Sequence, residues 1–440
     1  MRIAYVIPAY PPAASQPFVV NEMVEVQEAG HDIFLLPLYR TPPSAVRHAT
    51  FERFRPVAVL PPAMVNVRDV LLSLWVLVTR PWRVLSTLAA LHRAAGWNPW
   101  AQAKVIVVTP KGLAAAWRLR RAGVARIHAH WAHQSADCAA IAGRVGGIPF
   151  SFTAHAYDIY SNDPKLRNET LVWKLRNAIQ VFAVSDYAAD LLRAKLAPAD
   201  RGRVHTVRVG IPMQLFCPEP PRPRDGTLRL LCVCRWVDTK GLDTLIDACA
   251  VLRDRGVAFH LRLLGDGPLR GSLGAQVARL GLAEHVTLGT PVPQEQVAEE
   301  LRACDAFVMP CRRDRTGDMD GIPTAFMEAM ATGRPVVSCP VSGVPELVRD
   351  GETGLLAPSD DPVAFADAVA RLARDEALGA TLGRQGRALV ERQHDAHLNA
   401  RRLLALVTGD QERPVSHTAV VRPRQSARTA SSGARFTTQK

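Results

Sequence analysis

Residues 320–338 read DGIPTAFMEAMATGRPVVS. Gly-Ile-Pro-Thr is a turn, and a proline near the first helical position with a threonine beside it opens a helix. The helix stops at Thr-Gly-Arg-Pro, and the short apolar run over 335–338 reads as a buried strand. A helix feeding a buried strand is one half of a parallel α/β unit. The free N–H groups and positive dipole end of such a helix suit a phosphate. Asp320 and Glu328 flank that turn, eight positions apart. Glu328, about one turn into the helix, could accept both hydroxyls of a ribose. Asp320, just before the turn, could accept sugar hydroxyls beyond the phosphates.

The same rhythm of strand and helix extends both ways. Strands are expected over 3–7, 33–37, 125–129, 148–153 and 180–184, with helices between them over 17–29, 134–145 and 187–195. The pattern restarts with strands over 228–233, 259–264, 306–309 and 335–338. Alternation of this kind means parallel sheets covered by helices on both faces. The Pro-rich run CPEPPRPRDG at 217–226 separates the two rounds,. The expected organisation is a first domain over 1–208, a linker over 209–226 and a second domain over 227–385. A helix over 386–408 is expected to pack across the junction, and 409–440 to form a disordered basic tail. The fold class is therefore α/β, two doubly wound domains facing one another, with ligands in the cleft at the carboxyl ends of the strands.

Composition narrows the function. The chain has 440 residues, 48% hydrophobic and 22% charged, which fits two globular domains and excludes wholesale disorder,. Residues 1–197 hold 22 Lys and Arg against 12 Asp and Glu, so much of the net charge of +13 lies in the first half. A basic half suggests an anionic membrane or a phosphorylated substrate. Nucleic acid is excluded as a partner, because aromatics are 6% and no nucleic-acid-binding pattern occurs,. The start of the chain reads as a strand rather than a signal peptide, and no run approaches the length of a membrane span. Eight scattered cysteines without CxxC pairs read as buried, reduced thiols of a cytosolic protein,. Residues 66–95 carry two apolar helical segments broken at Pro81, with Arg68, Arg80, Arg83 and Arg93 around Trp75 and Trp82. They read either as two ordinary helices on the first sheet or as a surface that dips into an anionic bilayer.

Further candidates lie at strand ends. Arg235 ends the first strand of the second domain and Lys240 precedes its helix, so both cations project into the cleft, where they can stabilise a diphosphate leaving group without a metal. His155, just beyond the strand over 148–153, puts an imidazole on the opposite wall, with Asp158 three residues on. Asp318 and Asp320 spell D-x-D, a pattern that can hold a divalent cation, but they follow a charged loop rather than a first-domain strand. His128, His130 and His133 could suggest zinc, but lack an evident fourth ligand; they are expected to line the cleft.

These pieces resemble the retaining nucleotide-sugar glycosyltransferases of family 4, which have the GT-B fold. The matching segments are TAHAYD at 153–158, VSDYAADLL at 184–192, RWVDTKG at 235–241, LLGDGPLR at 263–270, DGIPTAFMEAMATGRPVV at 320–337 and SGVPELVRDGETGLL at 342–356. The resemblance implies that Arg235 and Lys240 bind the donor diphosphate and Glu328 its ribose. It implies that Asp320 and the backbone of Gly321, Ile322, Pro323 and Thr324 hold the sugar and distal phosphate. It places His155 near the reacting sugar, and Gly265 and Gly267 where backbone approaches the nucleotide; Asp158 and His130 are expected as acceptor-side or supporting residues. The first acid of the family's pair is usually Glu and is Asp320 here; Cys234 replaces the glycine usual before the arginine. PAYPPAASQPF at 8–18 replaces a glycine-rich loop, as in a subgroup similar to colanic acid and related exopolysaccharide transferases.

The implied activity is hexosyl transfer from a UDP- or GDP-sugar, with no metal or cofactor, to a glycan or polyprenyl-diphosphate-linked acceptor at the cytoplasmic face of the plasma membrane. With no carboxylate evident as a covalent nucleophile, front-side displacement is the expected route to retention. The competing readings are a nucleotide-sugar epimerase on the same fold and a non-catalytic nucleotide-sugar-binding protein.

Overall fold

The computed structural model describes residues 1–10, 17–41, 50–219 and 226–409; the expected tail beyond 409, the middle of the Pro-rich run and most of the loop at 8–18 lie outside these residues. Seven strands form the first sheet: β1 (Arg2–Tyr10), β2 (Asp32–Arg40), β3 (Ala58–Val59), β4 (Arg126–His130), β5 (Phe150–Ala154), β6 (Gln180–Ala183) and β7 (Val204–Thr206). Six form the second: β8 (Leu228–Arg235), β9 (Phe259–Asp266), β10 (Val286–Leu288), β11 (Ala306–Val308), β12 (Val336–Ser338) and β13 (Gly354–Leu356). Their orders are β3-β2-β1-β4-β5-β6-β7 and β10-β9-β8-β11-β12-β13. Every named pair is parallel. The strand order reverses between β1 and β4 and between β8 and β11, and a crevice for a ligand forms at such switch points.

The long central strands are apolar because helices cover both sheet faces. Ile3, Ala4, Tyr5, Val6 and Ile7 of β1 are all buried. The helix Pro99–Arg121, to which the sequence reading assigns no element, packs tightly on the helix Gln134–Gly146; a methyl at Gly112 would stand 2.7 Å from Ile141 Cβ.

The C-terminal end differs from the single helix expected over 386–408. Helix Glu376–Gln393 ends at His394, and a second helix, Ala396–Thr408, starts behind Asp395. Three contacts impose the break. The His394 ring takes Val209 O at 3.0 Å, Ile211 and Asp395 form a bridge, and the Asp395 carboxylate caps the new helix by accepting Leu398 N–H at 3.0 Å,. The first of these helices buries Leu382, Leu389 and Val390 in the second-domain core. The second packs Leu403 and Val407 against Phe182 and Val207 of the first domain.

Loops from the carboxyl ends of both sheets meet. Asn162 N–H donates to Thr316 O at 2.9 Å, and Ser342 Oγ to the Tyr160 hydroxyl at 2.9 Å. Glu346 accepts the N–H groups of Asp186 and Tyr187 at 3.0 and 2.8 Å. The two sheets therefore face one another across a cleft.

Candidate active site

The second-domain wall is built at the end of β8. Arg235 is its last residue and is exposed, with no carboxylate partner among the described residues. A 3₁₀ turn, Asp238–Lys240, then brings back Lys240, whose Nζ lies 2.7 Å from Asp320 Oδ1. Burial disfavours that ammonium, but the Asp320 carboxylate outweighs it with the help of the nearby Cys311 and Cys234, and the Lys240 pKa is raised. Lys240 stays charged at the strand ends.

Asp320 leads into Gly321 and Ile322, and Pro323 immediately precedes the helix Thr324–Ala331. This segment stands against the other domain. A methyl at Gly321 would be 3.4 Å from Val184 Cγ2 and 3.8 Å from Cβ of Ala156, the residue after His155. The turn before this helix and the segment that carries the candidate histidine thus meet across the cleft. Glu328 lies on the buried face of the helix, and Gln294 Nε2 donates to its Oε1 at 2.9 Å. Burial pushes its carboxyl up to about 7, against the lowering effect of Gln294,.

Gly265 and Gly267 follow at the end of β9. Gly265 has φ +145°, and a Cβ there would lie 1.9 Å from Cys234 O; one at Gly267 would lie 2.4 Å from Trp236 O. Both are required by the close approach of this turn to the backbone at the end of β8 and just beyond it, whatever ligand it meets,.

On the first-domain wall, His155 is buried at the end of β5, with the Phe18 ring 5.4 Å and the Trp131 ring 4.8 Å from its own. Asp158 Oδ2 accepts the N–H groups of His155 at 2.9 Å and Ala132 at 2.7 Å, so Asp158 supports the loop from beneath. Burial raises its carboxyl to about 7, although both backbone bonds act to lower it. Trp131 holds φ +71°, a strained conformation for a bulky residue, at the bend that delivers Ala132 to Asp158,.

Beyond His155 lies a chain of contacts. His155 Nε2 is 3.3 Å from His130 Nδ1, and His130 Nε2 is 3.1 Å from Glu22 Oε1. Burial would raise the Glu22 carboxyl, but His130 prevails and holds it below its usual range. An ionised Glu22 can only accept, so the proton between it and His130 sits on His130 Nε2. Burial lowers the His155 pKa, as do the neighbouring His130 and His128 imidazoles, so the ring is neutral.

Three expectations change. His128 does not line the cleft: it is fully buried under the sheet, with ring nitrogens 2.9 Å from Ser151 Oγ and 3.2 Å from Thr153 Oγ1. Among the described residues the cluster with metal-ligand spacing is Glu22, His128 and His130 rather than the three histidines, and both rings in it are already bonded through both nitrogens. His133 instead stacks on Tyr157, ring centroids 5.0 Å apart. Cys217 is exposed, unlike the other, mostly buried cysteines.

Glu22 and Gln294 were not anticipated. The signal for Glu22 was an acid inside the apolar run PFVVNEMV, on the helix Pro17–Glu28 that follows β1. Gln294 begins the helix Gln294–Ala303, and nothing in its local sequence points to Glu328.

Two doubly wound parallel sheets, facing at their carboxyl ends with cations and a helix start on one wall, define the GT-B fold. The chain belongs to the group 1 glycosyltransferases: residues 227–375 match the family model described as "Glycosyl transferases group 1". It is 28% identical over 402 residues to the colanic acid biosynthesis glycosyltransferase WcaL of Salmonella typhimurium, covering 85% of this chain and 91% of the relative. It is 30% identical to a GDP-mannose-dependent alpha-(1-6)-phosphatidylinositol monomannoside mannosyltransferase of Mycolicibacterium smegmatis, covering 62% and 73%. The solved structure of HepE from Anabaena in complex with UDP matches with a TM-score of 0.67 at 17% identity, over 93% of this chain and 100% of that one.

Proposed function

We propose that this glycosyltransferase moves a hexose from a UDP- or GDP-sugar to a hydroxyl of a glycan or polyprenyl-diphosphate-linked acceptor, with retention and without a metal. The observation that carries the reading is the Lys240–Asp320 pair at the strand ends of one wall, with the turn at Gly321 set against Val184 and Ala156 of the other. Lys240 and Arg235 would take the charge that builds on the departing diphosphate, a stabilisation set in place before the bond breaks. The N–H groups at the start of Thr324–Ala331 would add to it. Glu328 would accept the ribose hydroxyls, and Asp320 those of the sugar. The departing phosphate would then help deprotonate the acceptor on the same face of the sugar, while the closed cleft excludes water.

A role in making an exopolysaccharide or other cell-surface polysaccharide, in the cytoplasm at the inner face of the plasma membrane, is supported by the likeness to WcaL, named for colanic acid biosynthesis. The donor base is left between uridine and guanosine by relatives that point both ways, one named for GDP-mannose and one solved with UDP.

Incubation with a panel of UDP- and GDP-sugars plus lipid extract tests the reading. Transfer to lipid or glycan with retained configuration is expected. Isomerised nucleotide sugar without transfer would indicate an epimerase, and binding without turnover a non-catalytic protein.

A further inference from the structure

The helix Val67–Thr79 is turned inside out. Its polar residues Asp69 and Ser73 face inward with Val76 and are buried. Asp69 pairs with Arg118 and, at 3.7 Å, with Lys111, both on the helix Pro99–Arg121. Ser73 Oγ donates to Asp69 O at 2.6 Å and reaches Pro110 O at 2.9 Å. The apolar residues Leu71, Leu74, Trp75 and Val78, spaced as one helical face, point outward with exposures of 62, 55, 57 and 75%,. Trp82 and Leu85 continue the ridge on the next helix, Pro81–Ala95, with Trp82 83% exposed. A surface helix ordinarily presents the opposite pattern, and an apolar ridge of this size marks a surface that something covers.

Charge identifies the cover. Residues 65–121 contain nine Lys and Arg and one acid. That acid, Asp69, is buried against two of the nine. Arg68, Arg83, Arg93, Arg120 and Arg121 remain exposed, in a segment with no exposed carboxylate. A second copy docked through the same face would set arginine against arginine. Nucleic acid would satisfy the arginines and leave the leucines in water. An anionic bilayer satisfies both, with phosphates for the arginines and acyl chains for the ridge. No helix among the described residues is long and apolar enough to cross a membrane.

We propose that the helical pair Val67–Ala95 seats this protein on an anionic lipid surface, with Leu71, Leu74, Trp75, Val78 and Trp82 entering the interface and Arg68, Arg83 and Arg93 meeting lipid phosphates. Arg80, grouped with these on sequence, is turned inward and donates to Val145 O at 2.8 Å. The proposal deepens the transferase reading and rests on it for its purpose, bringing the cleft to a lipid-linked acceptor; the surface itself is independent of that reading.

Sedimentation with vesicles of phosphatidylglycerol and phosphatidylcholine, against vesicles of phosphatidylcholine alone, is the test. Partitioning to the anionic vesicles at least about tenfold stronger is expected, weakening with salt and accompanied by a blue shift of tryptophan emission. The double variants L74E/W75E and R68E/R83E should each lower partitioning by about tenfold or more, with circular dichroism and melting unchanged. Equal binding to both vesicles, no binding to either, or a soluble dimer that L74E/W75E dissolves would overturn the proposal. Because the assay contains neither donor nor acceptor, its result is separate from transfer. Vesicle binding by a protein that transfers no sugar would overturn only the transferase reading. Transfer to a soluble acceptor by a protein that ignores vesicles would overturn only this proposal.

Discussion

Arg208 Nη2 of the first domain lies 2.9 Å from Glu346 Oε2 of the second, and the same nitrogen also holds Asp186 at 2.6 Å. Glu346 in turn accepts the N–H groups of Asp186 and Tyr187, the first residues of the helix Asp186–Ala194. One domain therefore caps a helix of the other, and the carboxylate also faces the positive end of that helix.

Glu346→Ala should remove this cap and loosen the closed arrangement. A loss of about 1 kcal/mol in stability is expected from the cap alone. Small-angle scattering should show a larger radius of gyration, with a higher KM for donor. Scattering and KM indistinguishable from wild type would show that the pair does not hold the domains together.

Lys240→Ala should lower turnover by on the order of 10²–10³, the scale of removing one fixed electrostatic stabiliser. Activity should survive EDTA. Its complete loss in EDTA, with recovery on adding Mn²⁺, would move the chemistry to Asp318 and Asp320 and discard the role given to Lys240.

The long strands were legible because β1, β2, β4, β5, β8 and β9 are apolar runs with helical patterns between them, and burial on both faces demands that pattern. The strands β3, β7, β10 and β13 have two or three residues each and are held by neighbours, so no periodicity announces them. The helix Pro99–Arg121 was hidden by KVIVVTP, whose β-branched residues and Pro110 read locally against a helix,. In the site, Arg235, Lys240, Asp320 and His155 could be picked out because each sits near where an α/β element begins or ends, and Glu328 because it lies about one turn into the helix that the Gly-Ile-Pro-Thr turn opens,. The motifs at 184–192 and 342–356 carried no legible chemistry, and they prove to supply the contact between Glu346 and the helix start at Asp186. Glu22 and Gln294 reach their partners His130 and Glu328 from distant parts of the chain, a relation that only tertiary structure reveals.

Glu22→Gln should disturb His155 through His130. An amide offers His130 Nε2 a donor as well as an acceptor where the carboxylate could only accept, so the His130 proton is no longer held on Nε2. Turnover is expected to fall on the order of tenfold with donor KM little changed, and the pH profile should shift. Glu22→Asp should recover part of the loss. Nitrogen NMR of the imidazoles reads the tautomers directly, and unchanged tautomers in Glu22→Gln would remove Glu22 from this role.

Glu328 carries the pH dependence of donor binding. Burial raises its carboxyl from 4.5 to about 7, so near neutrality the acid and the carboxylate are both populated. The ribose hydroxyls need the carboxylate as acceptor, and donor affinity should therefore fall as pH drops through about 7. Stability should move the other way. With the folded pKa above the unfolded one, the contribution of this group is fully present below the unfolded value and is lost as pH rises through about 7,. Glu328→Gln keeps the shape and discards the charge. At about pH 8 it should weaken UDP or GDP binding by about 1.5–3 kcal/mol, the range for hydrogen bonds to a charged group, and flatten that pH dependence. The same variant should melt at a higher temperature than wild type at about pH 8 and at a similar one at about pH 5. Calorimetric titration with free nucleotide and thermal melts across this range measure both effects. Nucleotide binding as tight as wild type at about pH 8 would end the assignment of Glu328 to the ribose. A variant less stable than wild type there would show that the carboxylate is accommodated without the cost that its burial implies.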